Sequence, residues 1–231
     1  MKRIAFLSAL ALTTAVAIGC NDRRDATDVD TTAPGSVGTA GTTADLVSSS
    51  DKAFVSDLTI ANMAEVELGR LALDHSKNAE VKKFAQMMVD DHTSAGEKLG
   101  AVAAQYNIAK PAQLDDTHRA LRNKLETLQG AEFDREYMGA MVDGHGQVLD
   151  RIEARIDKQN LADWKTRIGD RLSGKSAKES GEPVVILAEK SDNPATMSIN
   201  QWAADSYETV YKHHEAAKNL DKAVGKRTLT Q

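Results

Sequence analysis

Glu65, His92, His145 and His213 have the side chains in this sequence best suited to chemistry, because each interrupts an otherwise apolar helical seam. The first seam reads Phe54, Leu58, Ala61, Glu65, Leu68, Ala72, and the second Val81, Ala85, Met88, His92, Ala95, Leu99, Val102. The third reads Met138, Met141, His145, Val148, Ile152, and the fourth Ile199, Ala203, Ser206, Val210, His213, Ala217, Leu220, Val224. Alternating three- and four-residue spacing puts each set on the face of an α-helix that turns toward neighbouring helices. Four polar groups are thereby directed into one dry core. A carboxylate and three neutral imidazoles suit a single Zn²⁺, Fe²⁺, Mn²⁺ or Cu²⁺ ion. The same four groups also suit a closed hydrogen-bonded layer that sets helix register, or an acid–base pair of an enzyme, and the sequence alone leaves these readings open.

The pattern argues against a carboxylate-bridged di-iron centre. Such centres place a Glu three residues before a ligand His on each of two helices, whereas Val89, Val142 and Val210 occupy that position before His92, His145 and His213. Asp91 and Asp143 lie one and two residues before their histidines, at angles from which they are candidates to support a ligand rather than to be one. Met88 and Met141 lie one turn from His92 and His145 on the same seams. Thioethers there favour Cu(I), although methionine at helical spacing is more commonly core filler.

Capping signals frame the helices that must position these residues. Ser50 is read as the start of a first helix over 51–76, and Asn78 as the cap of a second over 79–105. A third is expected over 131–157 after Gly130, and a fourth over 199–224, with Ser198 and Gln201 forming a capping-box pattern. The midpoints fall close to the four polar residues, so helices packed side by side bring these residues to one level. The short link between helices one and two makes them an antiparallel hairpin. The segment 106–130 holds Pro111 and a short connecting helix near 116–128 with Leu121, Leu125 and Leu128 on one side, which leaves the direction of helix three open. An insertion over about 158–198 carries the amphipathic run Leu161, Trp164, Ile168, Leu172 and an apolar stretch Pro183–Leu187 that suits a strand or an extended covering segment.

The amino terminus has the form of a secretory signal over 1–19, with basic Lys2 and Arg3 and an uncharged run from Ile4 to Ile18. Cys20 is the only cysteine, and its place after Ala17-Ile18-Gly19 resembles a bacterial lipobox, which would make it the lipidated first residue of the mature chain. By resemblance to Gram-negative sorting rules, Asn21 favours the outer membrane, with the protein facing the periplasm. Residues 20–50 are poor in large apolar side chains and read as a flexible tether, leaving one domain over 51–231. With 29 Lys and Arg against 34 Asp and Glu, the chain has a formal net charge of −5. That balance speaks against nucleic acid as a partner and leaves the lipid anchor as the expected link to a membrane. No Gly-rich phosphate loop, paired-cysteine metal motif or Gly-x-Ser-x-Gly elbow is present.

Several segments together resemble a known family. They are Asn62-Met63-Ala64-Glu65-Val66-Glu67-Leu68-Gly69, Val81-Lys82-Lys83-Phe84-Ala85, Met88-Val89-Asp90-Asp91-His92-Thr93, Phe133-Asp134-Arg135-Glu136-Tyr137 and Met141-Val142-Asp143-Gly144-His145. They are similar to the bacterial "predicted outer membrane protein" family, domain of unknown function 4142. The resemblance runs over 51–157 and resumes at 199–224, where Ala203 and His213 keep the family's spacing. It implies an exported, all-α, ferritin-like four-helix bundle with a connecting helix and an insertion before the last helix, and it brings no reaction or substrate with it. His214 and Glu208 depart from the family pattern, and the insertion is longer than usual. The sequence therefore supports three readings of function: a lipid-anchored bundle holding one transition metal, a non-metal structural or interaction module of the envelope, and an uncharacterised acid–base or metal-dependent enzyme.

Overall fold

A computed structural model describes residues 47–172 and 184–227 of the chain. Among the described residues there are six helices and no β-strand, so the protein is all-α: α1 Ser49–His75, α2 Ala79–Gln105, α3 Asp116–Glu126, α4 Gly130–Glu153, α5 Lys158–Leu172 and α6 Pro194–Arg227. None of the described helices is long and apolar enough to cross a membrane. Cys20, the expected signal and most of the expected tether lie outside the described residues, as do residues 173–183.

The helix starts follow capping chemistry, with two shifts from the sequence reading. The cap of α1 is Ser48 rather than Ser50: its hydroxyl accepts from the Asp51 amide at 3.0 Å and donates to the Asp51 carboxylate. The cap of α2 is Asn78, as expected, with Oδ1 accepting from the Glu80 amide. The last helix begins at Pro194, several residues before Ser198, because Asn193 Oδ1 accepts from the amides of Ala195 and Thr196. Proline suits that first position, where its missing N–H would have had no helical partner. Helix α2 ends on Asn107 at φ 53°, with the Ile108 amide donating to Ala103 and the Asn107 amide to Ala104. This left-handed closure ties up two orphaned carbonyls and buries Ile108.

Residue pairs fix the helix directions. His75 at the end of α1 meets Phe133 at the start of α4, while Asp51 at the start of α1 pairs with Arg155 just after α4. These helices are therefore antiparallel. Thr196 near the start of α6 donates to Asp51 at 2.7 Å, so α6 runs parallel to α1. Since α2 folds back on α1, the link 106–129 must travel the length of the helices before α4 begins, with α3 packed on α1 and α4 along the way. That link decides the direction of α4, which local sequence left open.

The insertion is partly described. Leu161 and Trp164 bury the inner face of α5, as their spacing predicts. The residues 184–189 form an extended covering segment rather than a strand, held by a single antiparallel bridge between Ile156 and Ala188. Ile186 and Ala188 face inward, while Val185 and Leu187 are exposed.

Two apolar clusters divide the core. One gathers Phe54, Leu58, Leu99, Ile152, Ile199, Trp202 and Tyr207, and the other Leu68, Phe84, Met88, Phe133, Tyr137, Met141 and Ala217. On every long helix the residue between the two clusters is one of Glu65, His92, His145 and His213, and all four are buried. Gly69 lets α1 and α2 approach closely, since a Cβ there would meet Val89 Cγ2 at 2.9 Å and the Ala85 carbonyl oxygen at 3.0 Å.

Candidate metal centre

The three histidines form a compact triangle. Ring centroids are 5.5 Å apart for His92 and His145, 5.4 Å for His92 and His213, and 5.6 Å for His145 and His213. One ring nitrogen of each lies within 4.8 Å of the corresponding nitrogen of the other two. Three separate helices supply these rings, so the triangle exists only through tertiary packing.

Hydrogen bonds at the back of each ring set its tautomer. His92 Nδ1 is 2.9 Å from Asn62 Oδ1, and the Asn62 amide nitrogen is itself committed to the Leu58 carbonyl at 2.9 Å. The amide is thus held with its oxygen toward the imidazole, which makes His92 Nδ1 the donor. His145 Nδ1 donates to the Met141 carbonyl oxygen at 2.9 Å, and His213 Nε2 donates to Asp91 Oδ2 at 2.8 Å. The remaining nitrogens are His92 Nε2, His145 Nε2 and His213 Nδ1, all buried and without a hydrogen-bond partner. Neutral imidazoles held by oxygen acceptors at their backs present lone pairs at the front, as metal ligands do.

Glu65 enters the layer from α1 on the Nδ1 side of His145, so among the described residues the three histidines converge as a ligand set and the carboxylate expected with them stands behind one ring. Its Oε1 is 3.6 Å from His145 Nδ1, too long for a hydrogen bond, and its Oε2 is buried without a partner. Burial pushes the Glu65 carboxyl up to about 8. Burial likewise holds His92 well below the usual imidazole range, with the neighbouring rings of His145 and His213 adding to the effect. His145 is brought down to about 3, first by burial and then by His213. Burial lowers His213 too, against the opposing pull of Asp91. The Tyr137 hydroxyl is also buried without a partner; burial raises it, and the nearby Glu65 charge raises it further.

The residues expected to support the ligands divide. Asp91 does so, but across helices: it orients His213 rather than its sequence neighbour His92. Asp143 does not, being exposed on the outer side of α4, because two residues before His145 is more than half a turn away. Met88 and Met141 are buried in the apolar cluster beside the layer, and Met141 reaches it through its backbone carbonyl. Asn62 was missed by sequence reasoning. Its signal was a polar residue one turn before Glu65 on the same helix.

Two openings lead to the layer from different sides. A cleft of about 520 Å³ between α2 and α6 is lined by His92, His213, Asn62 and Asp91 at its inner end. A smaller one of about 110 Å³ between α1 and α4 reaches Glu65 past Gly144.

Fold and site together define an all-α protein with a buried three-histidine cluster flanked by a carboxyl group. The chain belongs to the family described as Domain of unknown function (DUF4142), whose model matches residues 37–180. That match takes in Glu65, His92 and His145, while His213 lies beyond it. No curated protein and no solved structure matches the chain.

Proposed function

We propose that this protein is an exported, lipid-anchored envelope protein whose helices form a ferritin-like four-helix bundle holding one first-row transition metal ion. His92 Nε2, His145 Nε2 and His213 Nδ1 are the ligands, with Glu65 beside them. The observation that carries the metal reading is the absence of any donor for these three buried nitrogens. A closed hydrogen-bonded layer would pair acceptors with donors, because an unpaired buried polar group costs about 1–3 kcal/mol. Here three acceptors converge instead, and one cation satisfies all three at once.

The bundle assignment is supported by the connections. The hairpin α1–α2, one long crossover and the antiparallel pair α4 and α6 follow the ferritin-like order. The ligand set departs from carboxylate-rich di-iron sites and favours one ion over two. Export and anchoring are supported by Lys2, Arg3, the uncharged run to Ile18 and Cys20. Outer-membrane placement is supported by Asn21 alone.

The test is elemental analysis of protein purified without an affinity-tag metal, together with equilibrium dialysis against Zn²⁺, Mn²⁺, Fe²⁺ and Cu²⁺. One equivalent of metal is expected in the wild type and none in His145→Ala. A wild type that holds no ion more tightly than about 10 μM overturns the metal reading. For the anchor, a fatty-acid analogue should label the wild type in cells and leave Cys20→Ser unlabelled.

A further inference from the structure

The three ring nitrogens that face one another are buried, so with every ring in place an ion has no way to them from solvent. One ring must move, and the hydrogen bonds behind the rings differ in how firmly they hold. His145 is tied to the Met141 carbonyl, a backbone atom that helix α4 fixes. His92 is tied to Asn62, which is itself buried and locked by the Leu58 carbonyl. His213 is tied instead to a side chain that reaches water, since the Asp91 side chain is 45% exposed.

The space for movement lies on that same side. The smaller opening, between α1 and α4, ends on Glu65 and is lined by none of the three histidines. The cleft between α2 and α6 is lined by His213 and Asp91 and holds about 520 Å³. Short side chains form its walls there, Ser94 and Ala95 from α2 and Ser206 and Thr209 from α6, so an imidazole leaving the cluster meets free volume rather than packed core. Two carboxylates, Asp91 and Asp205, line the cleft against one ammonium, Lys98, a balance that draws cations inward.

We propose that His213 is the gate of the metal site: its ring, together with Asp91, swings into the cleft between α2 and α6, takes an ion from solvent and carries it to His92 and His145. The inference rests on the metal-site reading above and adds the route by which the site is filled. In the open position Asp91 offers the incoming ion an oxygen beside the imidazole. In the closed position the same carboxylate accepts from His213 Nε2 and leaves Nδ1 to the cluster. The backbone of α6 stays in place, because a change of side-chain rotamer is enough to move the ring. His92 and His145 remain a fixed pair, held by Asn62 and Met141, so the ion meets two ligands already oriented.

The experiment follows Co²⁺, whose visible bands report its ligands, into metal-free full-length protein by stopped flow, and out again into excess EDTA. Ser94→Phe and Thr209→Phe each place a large ring at an exposed position of the cleft wall, one turn from Asp91 and from His213 respectively. Each is expected to slow uptake and release alike, by about tenfold or more, with the equilibrium affinity unchanged, because a blocked route raises one barrier for both directions. Gln147→Phe, at an exposed position of the smaller opening, should keep the wild-type rates. In the metal-free protein, relaxation dispersion on the imidazole resonances should show microsecond-to-millisecond exchange at His213 and none at His92 or His145. Wild-type rates in both cleft variants, slowing by Gln147→Phe alone, or exchange at His92 or His145 in place of His213 overturns the gate and leaves the metal site standing. A wild type that takes up no Co²⁺ at equilibrium overturns the metal reading, and the gate with it.

Discussion

Asn62 Oδ1 sits 2.9 Å from His92 Nδ1, joining a residue of α1 to one thirty positions later on α2. Because Asn62 also donates to the Leu58 carbonyl one turn back, its orientation is set by its own helix before it meets the imidazole. A hydrogen bond at the back of the ring thus decides which nitrogen faces the cluster. Partners of this kind are worth about 10–100-fold in metal affinity.

Asn62→Ala should therefore weaken metal binding by about 10–100-fold with the helices intact, measured by competition with a chromogenic chelator. Asn62→Asp keeps an acceptor at the same place and should recover most of that loss. Equal affinity in the wild type and Asn62→Ala would remove the tautomer argument for His92.

His145→Leu separates a metal site from a structural layer. In metal-free protein the substitution removes one unpartnered buried nitrogen and returns apolar bulk, so its melting temperature should match or exceed that of the wild type. Added metal should then raise the wild-type Tm and leave the variant unmoved. A metal-free variant destabilised by about 1–3 kcal/mol, with a wild type indifferent to metal, would instead indicate a hydrogen-bonded layer.

The metal-free protein should lose stability on both sides of neutrality, for opposite reasons. His92 and His145 are held below 6.5, His145 to about 3, so in that window the unfolded chain takes up protons that the folded one refuses. Stability falls as pH drops from 6.5 toward 3. Glu65 is raised from 4.5 to about 8, so the folded chain keeps a proton that the unfolded one releases, and stability falls as pH rises through that window. Several imidazoles oppose one carboxyl, which makes the acid limb the steeper. Urea denaturation across pH should show that limb reduced in a His92→Leu, His145→Leu double variant, and an unchanged limb would count against these shifts.

Gly69→Ala should destabilise the protein by about 1–3 kcal/mol through overpacking, because the added methyl meets the Ala85 carbonyl as well as Val89. Gly139→Ala is the control: nothing lies within 4 Å of a Cβ there, and alanine is the better helix former. Thermal melts of the two variants should move in opposite directions.

Periodicity was sufficient for the helices and for the level of the site. The seams through Glu65, His92, His145 and His213 each resolve into one long helix, and the 79–105 span of α2 matches its expected bounds, because the alternation of apolar residues and the Asn78 cap are both local signals. The all-α class was legible for the same reason, and the family through the resemblance of particular segments such as Met88-Val89-Asp90-Asp91-His92-Thr93. Caps were less secure where several candidates stood together: Ser48 and Asn193 compete with Ser50 and Ser198, and the choice depends on which side chain reaches a free amide. Tertiary structure alone decided the rest. The crossover through 106–129 set α4 antiparallel to α1, and with it which seams face each other. Asp91 supports His213 and not His92 because a helix turns about 100° per residue, so a neighbour in sequence points elsewhere while a residue on another helix is in reach. The bare lone pairs of the three histidines follow from Asn62, Met141 and Asp91 standing behind the rings. One-dimensional spacing can direct a side chain toward the core, but which ring nitrogen keeps its proton depends on contacts between helices far apart in the chain.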